Sequence, residues 1–412
     1  MLRMSMSRSA VFVVALGLLA FGCGEPIASD EPIATGIDGP AGPGSGQPRL
    51  QVAGDSAVWL SWVAPTDSGD ALRYASLDGD TWSDPTTVAT GTDWFVNWAD
   101  LPSVVPLPDG RVAAHYLESK MDRSGVTPLA YDIRFMQRAA DGAWQAPITL
   151  HDDSTQAEHG FVSMMPWPED RLLAVWLDGR DMRDDGNMTL RGAVLRPDGT
   201  VDERAQIDGR TCECCATSAV RVGDDALVAY RDRSEKEVRD IHLVRFDGTE
   251  WSDPTRLNDD GWQIAGCPVN GPALAASGDR AAAAWFTAAE GRPRVRGAVS
   301  SDGGRHFSAP IDVADGMPKG RVDIAFLDDG TAAISWLEAT ERGGAVRVRI
   351  VRPDASTGPV RTLARLPSAS RTIGFPKMVH HEETLYLAWV EPGAEEAAPQ
   401  VQAARTPVDR IR

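Results

Sequence analysis

Four of the chain's five cysteines are Cys212, Cys214, Cys215 and, about one repeat length downstream, Cys267. Thiols this concentrated either pair as disulfides or bind a soft metal as thiolates. In an oxidising compartment four thiols make two bridges with three pairings. Adjacent cysteines such as Cys214 and Cys215 bond only with strain, which makes such a bridge redox-labile. The metal alternative is Cu(I) or Zn(II), at a spacing unlike the paired Cys-x-x-Cys zinc patterns. Redox-active thiols are a third reading. Around this cluster stand less concentrated candidates. Arg180, Arg231, Arg233 and Arg321 could grip an anionic ligand group bidentately, or pair locally with Asp178, Asp181, Asp232 or Asp323. Asp178, Asp181, Asp232 and Glu158 could supply the acid and base of a two-carboxylate glycosidase. Trp94, Trp98 and Trp262 could stack on a sugar ring or plug a channel. His159 is either a ligand-binding residue or a structural one.

The elements that must position these residues repeat along the chain. Trp62, Tyr116, Trp176, Tyr230, Trp285, Trp336 and Trp389 recur every 51 to 60 residues, each ending a short apolar run such as AVWLSW, RLLAVW or TAAISW. Such runs, bounded by Gly, Asp or Pro, read as buried strands. Each is preceded by another strand and a tight turn, often Asp-Gly, and followed by an alternating strand such as DIRFMQR or IHLVRF. An aromatic and then a proline mark a fourth strand, at Trp82, Trp144, Trp251 and Phe307. Four antiparallel strands per repeat predict an all-β chain folded as a β-propeller, with seven blades favoured over six. The last blade lacks a fourth strand, and the segment from Ser29 to Gly36 resembles that of residues 83–91. An N-terminal strand is therefore expected to close the ring and remove its open edge. Alternate connections share one face, so the loops that enter the blades gather the cysteines, arginines, tryptophans and His159 around a channel mouth.

The turn after the fifth repeat's third strand carries a family resemblance. Ser300, Asp302, Gly304 and Phe307 match the Asp-box, Ser-x-Asp-x-Gly-x-x-aromatic, and residues 76–82 are a degenerate copy. Over residues 48–405 the chain resembles the sialidase-like, Asp-box (BNR-repeat) propeller superfamily. Cys-x-Cys-Cys, Arg239 to Ile241, and Gly261 to Pro272 resemble a narrower subgroup of bacterial lipoproteins, often labelled exo-α-sialidase-like. The resemblance implies a Tyr nucleophile activated by Glu, an Asp acid/base and an N-terminal Arg-Ile-Pro motif. Arg-Ile-Pro is absent, and neither Tyr74 nor Tyr131 has an evident Glu partner in the sequence. A glycan- or protein-binding module is therefore the leading expectation, with a divergent sialidase-type hydrolase and a copper or zinc protein as alternatives. No cofactor is expected to be required, with Cu(I) or Zn(II) at the cysteines as the alternative to disulfides.

The N-terminus bears on compartment. Arg3 and Arg8 precede an apolar run of about 11 residues, Val11 to Phe21, too short to span a bilayer as a helix. Ala20-Phe21-Gly22-Cys23 resembles a bacterial lipobox, which implies cleavage before Cys23 and lipidation of its thiol. Gly24, in place of Asp, favours the outer membrane by the lipoprotein sorting rule. The expected organisation is a signal peptide at 1–22, the lipidated cysteine, tether and closing strand at 23–47, the propeller at 48–405 and a tail at 406–412. The anchor is the expected membrane contact, and a monomer is expected. A net charge of −18 argues against nucleic acid as a partner.

Overall fold

The computed structural model describes residues 31–54, 57–120, 129–182, 186–393 and 397–412. The signal segment, Cys23 and the first residues of the expected closing segment lie outside the described residues. The described chain forms seven antiparallel sheets arranged as a β-propeller.

Each repeated aromatic lies on the second strand of its blade. In blades 3 to 6 those strands are Arg171–Asp178, Asp225–Arg231, Arg280–Thr287 and Ala332–Thr340. The seven aromatics are buried between blades, the most accessible being Trp389 at 9%. Strand alternation returns a side chain to the same face two residues on. Thus the indole N–H groups of Trp176, Trp336 and Trp389 donate to Asp178, Glu338 and Glu391 at 3.0, 3.0 and 2.9 Å. Directly across on the third strand stand Arg73, Arg134, Arg191, His242, Arg296 and Arg347, with Gln402 in the seventh blade. A buried indole N–H needs a partner, and this carboxylate and the facing basic residue supply and neutralise it. Small residues let neighbouring blades approach closely, as in the run Ala281 to Ala284, all fully buried.

The prolines of the aromatic-Pro signature explain the short fourth strands. Trp144 and Trp251 each pair once with the third strand. The chain then breaks at a proline, which has no N–H to give the ladder, and resumes for two residues at Ile148–Thr149 and Thr255–Arg256. In blade 1 the same interruption splits the fourth strand into Thr81–Trp82 and Thr86–Gly91.

The ring closes as expected. Thr35–Ile37 pairs antiparallel with Gln400–Pro407, with Gly36 opposite Ala404. It supplies the fourth strand of blade 7, so the propeller begins before residue 48. The tail also differs from expectation. Val408 and Ile411 are buried against blades 6 and 7, because both are apolar and the adjoining wedge accepts them.

The Asp-box has its expected local geometry. The Gly304 N–H donates to Ser300 Oγ at 3.0 Å, and the His306 N–H donates to Asp302 Oδ1 at 3.0 Å. Phe307 packs against the core between blades 4 and 5. The Gly303 N–H donates to the Asp279 carbonyl, in the turn between the first and second strands. The box therefore lies on the face opposite the cysteines.

Candidate metal centre

Three loops meet where the cysteines lie. Cys212 to Cys215 precede the first strand of blade 4, Ser218–Val222, and Cys267 precedes that of blade 5, Ala273–Ser277. The third loop joins the second and third strands of blade 4. Backbone hydrogen bonds stitch them together. The Cys212 N–H donates to the Arg231 carbonyl at 3.0 Å, and Thr211 pairs with Asp232. The Arg239 N–H donates to Trp262 and the Ile264 N–H to Glu237, both at 2.9 Å.

All four thiols are free. Cys212 Sγ lies 3.2 Å from Cys215 Sγ and 3.9 Å from Cys214 Sγ, and Cys267 adjoins Cys214 as a thiol partner. A disulfide requires about 2.05 Å, so the bridged arrangement weighed from sequence is not formed. Thiolates around a tetrahedral metal at about 2.3 Å stand roughly 3.8 Å apart; the Cys212–Cys214 separation of 3.9 Å matches this, and the Cys212–Cys215 separation of 3.2 Å is shorter. Cys212 and Cys215 are buried, Cys214 is half-buried and Cys267 is exposed. Hydrogen bonds from the Cys214 and Cys215 thiols, with help from the Arg231 charge, hold the Cys212 thiol far below its usual range. Thiol neighbours push Cys214 up, and burial pushes Cys215 up. The neighbouring thiols thus favour the anionic form of Cys212, and binding a metal would release the remaining thiol protons.

Beside it lies a closed ring of ion pairs. Arg239 donates to Glu213 at 2.7 Å and to Glu237 at 2.9 Å, and Arg233 donates to Glu237 at 2.7 Å and to Glu213. Arg239 also donates to Cys212 Sγ at 3.3 Å. Glu213 in turn faces Glu158, whose carboxyl is raised to about 7 by burial and by that charge. Asp100, 1% exposed, is raised to about 7 by burial. The Tyr131 hydroxyl neighbours both carboxyls, and its ring stacks on Phe95 at 4.1 Å. Tyr131 therefore does have a Glu partner, brought by the strip pairing of Tyr131 with Glu158.

The four arginines do not converge on an open anion site. Arg231 is 1% exposed and donates to the carbonyls of Asn270, Arg239 and Phe286, with its guanidinium over Trp262 at 4.9 Å. Arg321 donates to the carbonyls of Ser370 and Gly374 and lies over Trp98 at 5.0 Å. Arg180 bonds Asp178, Asp152 and Asp153, and Arg233 serves the ring above. Only Arg180 has one of the carboxylate partners weighed from sequence. Trp94 stacks on Tyr116 at 4.5 Å, and Trp262 is buried against Phe286, so both serve the blade cores. Trp98 stacks on Phe375 at 5.9 Å and is half-buried.

His159 is fully buried, stacked on His151 with centroids 3.7 Å apart. His159 Nε2 lies 3.2 Å from Asp153 and 3.6 Å from Asp178. Asp181 stands apart at the surface. Asp232 joins Asp208 and His242 instead, and burial raises it to about 6. Sequence reasoning missed Asp100, His151, Glu213 and the role of Arg239. Two of these were visible as motif members, Glu213 within Cys-x-Cys-Cys and Arg239 in the Arg-Asp-Ile triplet; Asp100 carried no signal.

The fold and site define a seven-bladed β-propeller with a thiol cluster on its loop face. Neither a protein-family model nor a curated protein matches the chain in sequence. Among solved structures it is similar to polysaccharide lyase Uly1, at 9% identity and a TM-score of 0.55 over 88% of this chain and 90% of that one. It is also similar to the β-propeller domain of the Trilobed protease from Pyrococcus furiosus, at 9% identity and a TM-score of 0.47 over 88% of this chain and 95% of that one. At such identities the likeness is one of fold alone.

Proposed function

We propose that this protein is an envelope-anchored β-propeller that carries a soft metal ion, Cu(I) or Zn(II), on Cys212, Cys214, Cys215 and Cys267. The observation that carries the reading is the sulfur geometry: three Sγ atoms lie within 4.8 Å of one another, with the fourth thiol beside them. Thiolates select soft and borderline metals over Mg²⁺ or Ca²⁺. The metal is then the ligand of the expected binding mouth. The lipobox resemblance at Cys23 supports the anchoring, and the Asp-box supports kinship with sialidase-like propellers. The test is elemental analysis of protein purified without chelator, paired with thiol titration. One Cu(I) or Zn(II) per chain, with thiols that react only after chelation, is expected. Metal-free protein that fails to take up either ion under reducing conditions, or a mass showing disulfides, would end the reading.

One observation favours a second reading, a divergent glycoside hydrolase of sialidase type. Tyr131 stands beside two carboxyls held near neutrality, as a Tyr nucleophile with an acid/base partner requires. Its burial at 1% exposure weighs against contact with a sugar. Hydrolysis of aryl sialosides that disappears in Tyr131→Phe, with metal content unchanged, would favour it.

A further inference from the structure

A cavity of about 480 Å³ occupies the middle of the ring, lined by the first strands of the blades and by no cysteine. Five charged side chains line it. Arg221 ends toward solvent, 46% exposed at the side chain and 3.6 Å from Asp224; the order of the other four around the ring is Asp323 in blade 6, Lys377 in blade 7, Arg49 in blade 1 and Asp100 at blade 2. Two cations thus stand side by side with a carboxylate on either flank. Their mutual contacts are poor. Arg49 has no carboxylate within ion-pair distance among the described residues, and its buried Nε has no hydrogen-bond partner. Asp100 Oδ1 accepts the Phe161 N–H at 2.8 Å, but its buried Oδ2 makes no hydrogen bond. Lys377 Nζ reaches Asp323 only at 4.0 Å.

Buried charges without partners are costly, and four inner charges made up of two cations and two carboxylates are poorly matched by a ligand of one sign. A simple anion would leave the carboxylates unmet, and a simple amine would leave Arg49 unmet. Phe161, Phe375 and Met164 add an apolar wall to the same cavity. We propose that the channel binds a small zwitterion, a free amino acid or short peptide. Its carboxylate lies on Arg49 and Lys377, its ammonium on the unpartnered Oδ2 of Asp100, and its side chain against the phenylalanines. Burial holds the Asp100 carboxyl up to about 7, as befits an acid with no cation in contact. This site is independent of the thiolate centre, so either can fail without the other.

Calorimetric titration of the whole protein tests it, using the free L-amino acids and dialanine and dileucine as zwitterions. Isovalerate and isopentylamine represent the two halves of leucine. At least one zwitterion is expected to bind with a Kd below about 1 mM, and each half at least about tenfold more weakly. Arg49→Gln and Asp100→Asn should each weaken that zwitterion about tenfold or more. Asp100→Asn is isosteric and keeps the acceptor for Phe161, so it decides the matter if Arg49→Gln does not fold. No zwitterion binding at this level, isovalerate binding as tightly as the zwitterion, or binding indifferent to Asp100→Asn would each overturn the proposal.

Discussion

Two clusters of metal-capable side chains sit on the loop face, and they use their charges in opposite ways. Around His151 and His159, each carboxylate already has a cation: Arg180 bonds Asp152, Asp153 and Asp178, and Lys120 lies 3.1 Å from Asp132. That cluster is a strut between blades 2 and 3, its carboxylates matched to cations while the buried Nε2 atoms of His151 and His159 make no hydrogen bond. At Cys212, Cys214 and Cys215 the sulfurs have chiefly one another, with Arg239 as an outside donor at 3.3 Å. The carboxylates nearby are matched to arginines in a separate ring, which leaves the sulfur lone pairs to a metal. A group of potential ligands is thus a centre or a brace according to whether its electrons are already engaged.

The sharpest way to break this comparison is to remove ligands from each cluster in turn. Cys212→Ser with Cys215→Ser should take bound metal from about one ion per chain to under about a tenth. His159→Gln should leave metal content unchanged. Elemental analysis of the two variants checks both, and a loss of metal in His159→Gln would reverse the roles assigned here.

The next effect is on stability. Asp178 is fully buried and Arg180 is 15% exposed at the side chain. Arg180→Met takes from that carboxylate its closest cation, leaving the Trp176 indole and Arg191 at 3.8 Å, and should cost about 2–3 kcal/mol. Adding Asp178→Asn should recover part of the loss, since the two residues are coupled. At the thiol loop, Arg233 is 24% exposed, and Arg233→Met should cost only about 1 kcal/mol. Denaturant titrations of the three variants give the order, and equal losses for Arg180→Met and Arg233→Met would erase the contrast.

The same distinction explains what the sequence could convey. The blades were legible because strand alternation and a buried aromatic recur at fixed spacing, so each of Trp62 to Trp389 reports one wedge of core. The closing strand was legible in part: of the described residues in the expected segment 29–36 only Thr35 and Gly36 are strand, and the pairing runs on to Ile37. The cysteine loops were placed correctly as neighbours, because propeller topology orders loops as it orders blades. Side-chain partnerships were not legible. Arg231 and Arg321 look like anion grips by type, yet their donors end on carbonyls 8 to 55 residues away. Tyr131 looked unpartnered because Glu158 reaches it only through a bridge across the entering loop. The face of the fold follows from periodicity, whereas the state of a charge follows from contacts that no spacing encodes.

The last effect is in pH dependence, where Asp153 in the histidine strut and Asp100 in the channel carry opposite signs. Asp153 is lowered to about 2 by His159, Thr155, His151 and Arg180 acting together against burial. Its folded value lies below the unfolded one of about 3.9, so its contribution is present above that pH and is lost as pH falls toward 2. Asp100 is raised to about 7 by burial, outweighing the Phe161 N–H and Arg49. The folded protein therefore holds a proton there that the unfolded chain gives up. Its contribution falls as pH rises from about 4 to 7 and is then level, by roughly 1–4 kcal/mol across that window. Asp100→Asn should flatten this part of the stability curve and gain stability at pH 8 but not at pH 4. Asp153→Asn should lose stability at pH 8 and gain nothing between pH 4 and 7. Denaturation midpoints for both variants at pH 4, 6 and 8 read the two slopes separately. An unchanged slope in Asp100→Asn would mean that the channel acid is neutralised by a partner in solution.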